Sequence, residues 1–262
     1  MGGAMVATSV SQGGYYDHPE FYDLEGERAG PDQADVRFFR EYAQRAGRAL
    51  ELGAGTGRIA VWLADAGVPV HCVEPSPTMR AALLIKVTQR PRWQPYVTVV
   101  PGDAATATLD QRFPLVYAAG VVQHFLSDED LLAMLRNAAR HLEPEGVFVC
   151  DNVAPKPRAQ ALPPTCLGEH SIGEMRYRAT YSTAPLSADY YRTTTVYETL
   201  HAGEVIERAE STSIDRVIGR ATMHRLLSEA GLMVTNEFAD YDRTPYHPAA
   251  EQAIIEARLT AK

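Results

Sequence analysis

Lysine is nearly missing from this chain: 3 of 262 residues, against 22 arginines. That imbalance reads as GC-rich coding and says little about mechanism. Cysteine is scarce too. Cys72, Cys150 and Cys166 lie 78 and 16 residues apart, a spacing that fits no zinc or redox motif. An odd, sparse count suits a reducing compartment, so a cytoplasmic protein is expected. No apolar run approaches the ~20 residues of a membrane span, and no membrane partner is expected. Residues 1–14 have neither a basic start nor an apolar stretch, which speaks against a signal peptide; the segment reads as disordered. Excess positive charge is absent: 33 acidic and 25 basic side chains give a formal net charge of −8. That balance argues against the broad basic surface a nucleic acid needs, although a local groove could survive it. No H-x-x-x-H pair or aspartate-rich calcium loop occurs, and no metal is expected.

What is present is an ordinary globular composition, 45% hydrophobic and 22% charged. The length allows one large domain or two small ones, with a core that needs no disulfide or metal staple. Up to residue 153, strands and helices alternate with short connections. Helices are expected over 32–43, 59–66, 77–89 and 128–142, the last capped by Ser127. Strands are expected over 48–52, 68–73, 97–100, 115–119 and 146–153. This is the pattern of an α/β protein: a doubly wound, mostly parallel sheet with ligands outside the carboxyl ends of its strands.

At Ala154 the pattern breaks. A stretch holding Pro155, Pro157, Pro163 and Pro164 reads as a linker or loop. Three strand-like runs follow, 173–182, 190–200 and 205–215, with a hairpin turn at His201–Glu204. They form an antiparallel insert of about 60 residues by the period-2 alternation. A helix over 221–230 and strands over 232–238 and 253–259 return the chain to the sheet. The expected organisation is a tail and cap helix over 1–46, a core over 47–153, the insert over 154–219, and completion of the core over 220–262.

The most informative local pattern is Leu50-Glu51-Leu52-Gly53-Ala54-Gly55-Thr56-Gly57-Arg58, a strand running into three glycines and a helix. Glycines let a ligand approach the backbone, and the helix start offers free N–H groups. A nicotinamide fingerprint would need glycine where Arg58 stands, so that reading fails. Glu74 closes the second strand, where a carboxylate accepts from both hydroxyls of a ribose. Asp103-Ala104 follows the third strand, where an Asp accepts from the exocyclic amine of an adenine. Gly120-Val121-Val122-Gln123-His124 follows the fourth, where a reactive centre would sit.

These four loops, in this order, resemble the class I S-adenosylmethionine-dependent methyltransferases, over roughly residues 15–153 and on to the end. The resemblance implies a seven-stranded Rossmann-like sheet, with S-adenosylmethionine as cofactor and S-adenosylhomocysteine as product. It implies a cofactor site of Glu51, Gly53, Ala54, Gly55, Gly57, Arg58, Glu74, Pro75, Met79, Asp103, Ala104, Gly120 and Val121. The stretch Tyr15 to Leu24 is similar to the segment before the core in small-molecule members. There Tyr16 and Tyr22 are candidates to touch the cofactor; equally, Phe21, Tyr22 and Leu24 form an apolar face for the core.

The insert resembles the lid of sugar N-methyltransferases and other natural-product methyltransferases. Tyr177, Tyr181, Tyr190, Tyr191 and Tyr197 are candidates to line a substrate cavity there, or merely half-buried strand residues. His124 is the candidate base, because imidazole titrates near neutrality; packing or a bond to cofactor is its other reading. Tyr22 and Gln123 are candidates to orient the acceptor. The fourth loop lacks the Asn/Asp-Pro-Pro-Tyr of nucleic-acid and protein N-methyltransferases of this kind, which favours a small molecule. The expected function is methyl transfer to an N, O or C nucleophile of a small molecule, in secondary metabolism by association. A protein or RNA methyltransferase and a non-catalytic cofactor-binding scaffold are the alternatives, and a homodimer is left open.

Overall fold

The computed structural model describes residues 7–9, 18–24, 30–153 and 161–260, the side chains of 7–9, 20 and 24 excepted. Strand β2 (Ala49–Leu52) is buried at all four positions, so it must be covered on both faces. It sits inside a seven-stranded sheet ordered β11 (Leu232–Phe238), β12 (Ala253–Leu259), β6 (Leu142–Val153), β5 (Phe113–Ala118), β2, β3 (Val70–Glu74), β4 (Val97–Pro101). The five strands from β6 to β4 are parallel. β12 runs antiparallel to both β6 and β11. The chain leaves β2 toward β3 and β4, then returns to β5 on the other side. A ligand crevice opens at such a switch point, outside the carboxyl ends of the strands.

Helices α2 (Ala34–Ala46), α3 (Ala60–Asp65) and α4 (Pro77–Thr88) pack on one face of this sheet. Helices α5 (Asp128–His141) and α6 (Arg220–Glu229) pack on the other. In α2 the spacing of Val36, Phe39 and Ala43 puts all three inside, and Phe39 stacks on Tyr117 of β5 at 4.9 Å. Gly47 ends the helix in the left-handed region. Ser127 caps α5 as its sequence predicts, its Oγ accepting from the Asp130 N–H at 3.0 Å.

The insert forms a second sheet, ordered β1 (Ala7–Ser9), β10 (Glu204–Arg216), β9 (Tyr190–His201), β8 (Met175–Pro185), β7 (Leu162–Ile172). It is antiparallel apart from β1, which runs parallel to β10. Two expectations are corrected. The insert has four strands of its own, not three, because β7 passes through Pro163 and Pro164. Proline cannot donate to a ladder, and β7 is an edge strand where the outward N–H is not needed. Residues 7–9 form a strand where the sequence suggests disorder; Tyr16, Pro155 and Pro157 lie outside the described residues.

The second sheet is fastened to the first at identifiable points. Arg216, ending β10, pairs with Asp128 in the first turn of α5 at 2.5 Å, and Arg225 of α6 pairs with the same carboxylate. The Tyr190 hydroxyl donates to the Leu126 carbonyl at 2.7 Å. Short helix α1 (Pro19–Leu24) works as a strap. Its Phe21 ring lies 4.7 Å from that of Tyr197 on β9, while Asp23 accepts from Thr56 Oγ1 at 2.7 Å and Lys86 Nζ at 2.6 Å in the core.

Gly57 shows how tightly the turn before α3 is specified. Its φ is 79°, and a Cβ there would stand 2.2 Å from Cδ1 of Leu83, which is fully buried on α4. Gly57→Ala is expected to cost about 2–4 kcal/mol, from left-handed backbone and overpacking together. Guanidinium denaturation would show this as a lower midpoint at unchanged slope.

Candidate active site

Parallel strands deliver their following loops to one edge of the sheet. The loops after β2, β3, β4 and β5 therefore meet there, and the second sheet roofs them. Between them lies a cavity of about 650 Å³. From the core, Gly53, Gly55, Glu74, Pro75, Asp103, Ala104, Gly120, Val121, Gln123 and His124 line it, with Tyr22 from α1. From the second sheet come Tyr181, Tyr191, Thr193, Thr195, Ser213 and Asp215. A further cavity of about 580 Å³ shares Gln123, Asn152 and Tyr191 with the first.

Glu74 is the most constrained acid at the opening. Its two carboxylate oxygens accept from the Gly55 N–H and the Ser76 N–H, each at 2.8 Å. The β2 loop and the end of β3 are thus tied to one side chain. Carboxylate oxygens carry further lone pairs, so Glu74 can still accept from a ligand hydroxyl. Gly55 has φ 56°, and a Cβ there would meet no protein atom within 4 Å. Together these make a slot bordered by bare backbone on one side and an oriented acceptor on the other. Asp103 is exposed at the cavity and bonded to the Ala105 N–H at 2.7 Å.

Five sequence candidates stand behind the lining rather than in it. Ala54 and Met79 are buried in the core, and Gly57 packs against Leu83. Arg58 turns away to Asp35 of α2 at 2.5 Å. Burial would push the Arg58 guanidinium down, but Tyr22, Asp35 and Asp151 outweigh this and hold it above its ordinary value. Glu51 is buried beneath the glycine turn, and burial pushes its carboxyl up to about 8 against the opposing influence of Tyr117 and Arg58. Its Oε2 is buried without a hydrogen-bond partner among the described residues. Asp151, at the end of β6, accepts from the Gly120 N–H at 2.6 Å and the Tyr241 hydroxyl at 2.7 Å, which anchors the β5 loop.

Of the lid tyrosines, Tyr181 and Tyr191 reach the cavity. Tyr197 is 1% exposed and Tyr177 packs on Phe21, so neither faces a ligand. Tyr190 is held at Leu126. The side chain that sequence reasoning missed is Asp215. It lies 7% exposed at the end of β10, with His124 Nδ1 at 2.9 Å from its Oδ1. The alternation that puts Thr193 and Thr195 on one face of β9 was legible; the pairing of a lid carboxylate with His124 had no local signal.

The family model described as a methyltransferase domain matches residues 49–146, the stretch that holds all four loops. The chain is 33% identical over 139 residues to the cypemycin N-terminal methyltransferase of a Streptomyces species, an alignment spanning 52% of this chain and 54% of that relative, so it spans about half the length of the curated protein it matches. Its structure is similar to that of the CcbJ methyltransferase of Streptomyces caelestis, with a TM-score of 0.76 and 26% identity over 95% of this chain and 99% of that one. It also shares its fold with S-adenosylmethionine-bound CalS10, an amino pentose methyltransferase of Micromonospora echinaspora. There the TM-score is 0.69 and identity 18%, over 93% and 96% of the two chains. The likeness to CcbJ includes the antiparallel sheet, since it covers nearly all of both chains.

The buried Glu51 predicts a pH effect with a definite sign. Its folded value of about 8 lies above the ordinary 4.5, so the native state holds more protons in that window. The contribution of Glu51 to stability then falls as pH rises from about 4.5 to about 8. Glu51→Gln is expected to flatten that decline, seen by comparing guanidinium midpoints of parent and variant at the two ends of the window.

Proposed function

We propose that this chain transfers a methyl group from S-adenosylmethionine to a nucleophile of a small molecule. The carrying observation is that the bare glycine turn, the fixed carboxylate of Glu74 and the exposed carboxylate of Asp103 border one cavity that His124 also lines. The residues fit the cofactor by their chemistry. Glu74 would accept from ribose hydroxyls, Asp103 from the adenine amine, and the backbone around Gly53 and Gly55 would lie along the methionine part. Bound there, the cofactor supplies a sulfonium methyl, already a strong electrophile.

The chain's own contribution is alignment, exclusion of water and handling of a proton. Glu74, Asp103 and Asp215 place three carboxylates in the lining, and no Arg or Lys lines it among the described residues. That sign suits a cationic sulfonium and a cationic acceptor such as an ammonium group. It disfavours phosphate-rich substrates. An amine acceptor is also what the names of the cypemycin and amino pentose relatives describe for those proteins. The hydroxyls of Thr193, Thr195, Ser213, Tyr181 and Tyr191 offer hydrogen bonds for a polar acceptor. His124 removes the proton that an ammonium must lose before it attacks, while Gln123 and Tyr22 orient the acceptor. The adjoining cavity gives room for an acceptor larger than one ring.

Isothermal titration with S-adenosylmethionine tests the reading directly. The parent is expected to bind and Glu74→Ala to weaken binding by about 100-fold, the scale of two lost charge-assisted bonds. No heat of binding from cofactor-stripped parent would sink the reading. With a panel of amines and labelled cofactor, His124→Ala is expected to lower turnover by at least about 100-fold. Unchanged turnover at saturating amine would remove His124 from the role of base.

A further inference from the structure

The imidazole of His124 is held from two sides. On one, Nδ1 stands 2.9 Å from Oδ1 of Asp215, an ion-pair distance too short for two lone pairs to face each other, and that oxygen has no aligned hydrogen-bond donor among the described residues. On the other, Nε2 lies 3.5 Å from the side-chain nitrogen of Gln123, which also donates to the Gly120 carbonyl at 2.8 Å. An amide nitrogen only donates, so Nε2 must be the lone-pair nitrogen in that arrangement. A carboxylate only accepts, so Nδ1 must carry the proton. The two sides agree on one tautomer.

Asp215 is prepared for this. Its other oxygen accepts from Thr193 Oγ1 at 2.8 Å and Ser213 Oγ at 3.2 Å. Burial would push its carboxyl up, but His124, Thr193 and Ser213 outweigh that and hold it below the usual carboxylate range. It therefore stays ionised although only 7% exposed, whereas the His124 side chain is 34% exposed at the cavity.

We propose that Asp215 is a positioning residue for His124: from the lid sheet it fixes the neutral imidazole as the Nδ1–H tautomer and leaves the lone pair on Nε2, where a bound acceptor's N–H replaces the long contact from the Gln123 amide. When an acceptor N–H bond breaks, its proton goes to Nε2, and the imidazolium so formed faces the Asp215 carboxylate. The base is complete only with β10 docked, because His124 belongs to the core and Asp215 to the second sheet. This rests on the methyltransferase reading for its chemical purpose, but the tautomer itself does not.

Long-range proton–nitrogen correlation spectra of histidine-labelled protein test it, recorded above neutral pH where imidazoles are uncharged. The His124 signals are assigned by their loss in His124→Gln. The parent is expected to show the Nδ1–H pattern for His124. In Asp215→Asn the amide oxygen is expected to take the place facing Thr193 and Ser213, turning the NH₂ toward Nδ1. The imidazole must then protonate on Nε2, and the spectrum inverts. A parent with Nε2–H, an even mixture in the parent, or an Asp215→Asn spectrum unchanged from the parent would each overturn the proposal. The parent spectrum decides even where the variant does not fold. Failure of the parent to bind S-adenosylmethionine would instead count against the methyltransferase reading and leave the tautomer result standing.

Discussion

One carboxylate organises the opening of the sheet. Glu74 accepts the N–H of Gly55 and the N–H of Ser76, and so locks the turn after β2 to the turn after β3. The turn after β2 is held to β3 by backbone as well, the Gly53 and Ala54 N–H groups both donating to the Val73 carbonyl. Ser76 in turn caps α4 by accepting from the Met79 N–H. The slot beside the switch point, the start of α4 and the position of Gly55 all meet at that side chain.

Beneath this layer lies a second set of buried groups with a different job. Arg58 is the cation among Asp35, Asp151, Glu51 and Tyr22, and it lies behind the lining. Asp151 reaches from this cluster to the backbone of Gly120. The loop that carries Gln123 and His124 is thereby set from below by a carboxylate and from above by the lid. Functional and structural charges are segregated by depth: those at the cavity are available to a ligand, those under it hold loops.

The core was legible because a parallel sheet converts chain order into position. Once strands end at Leu52, Glu74, Pro101 and Ala118, whatever follows each must gather at one edge, so Gly53, Glu74, Asp103 and Gly120 came together as expected. Depth was not legible. Met79, Ala54, Gly57 and Arg58 stand beside lining residues in the sequence, yet helix geometry and close packing turn them inward. The lid was legible in alternation but not in extent. Pro163 and Pro164 look like loop residues until β7 is known to be an edge. Asp215 was missed because nothing near it in sequence announces His124, its partner in another sheet.

The division of the site between two sheets constrains how this architecture can change. The lid walls, made of Thr193, Thr195, Tyr181 and Tyr191, are the part of the cavity free of loops that would hold a cofactor, and so the natural place for acceptor preference to drift. Yet the same sheet carries Asp215. A lid rebuilt for a different acceptor must keep a carboxylate at the end of its last strand, or surrender the orientation of His124. On the proposed reading, the walls that would meet the acceptor and the carboxylate that orients His124 therefore belong to one sheet, on its neighbouring strands β8, β9 and β10.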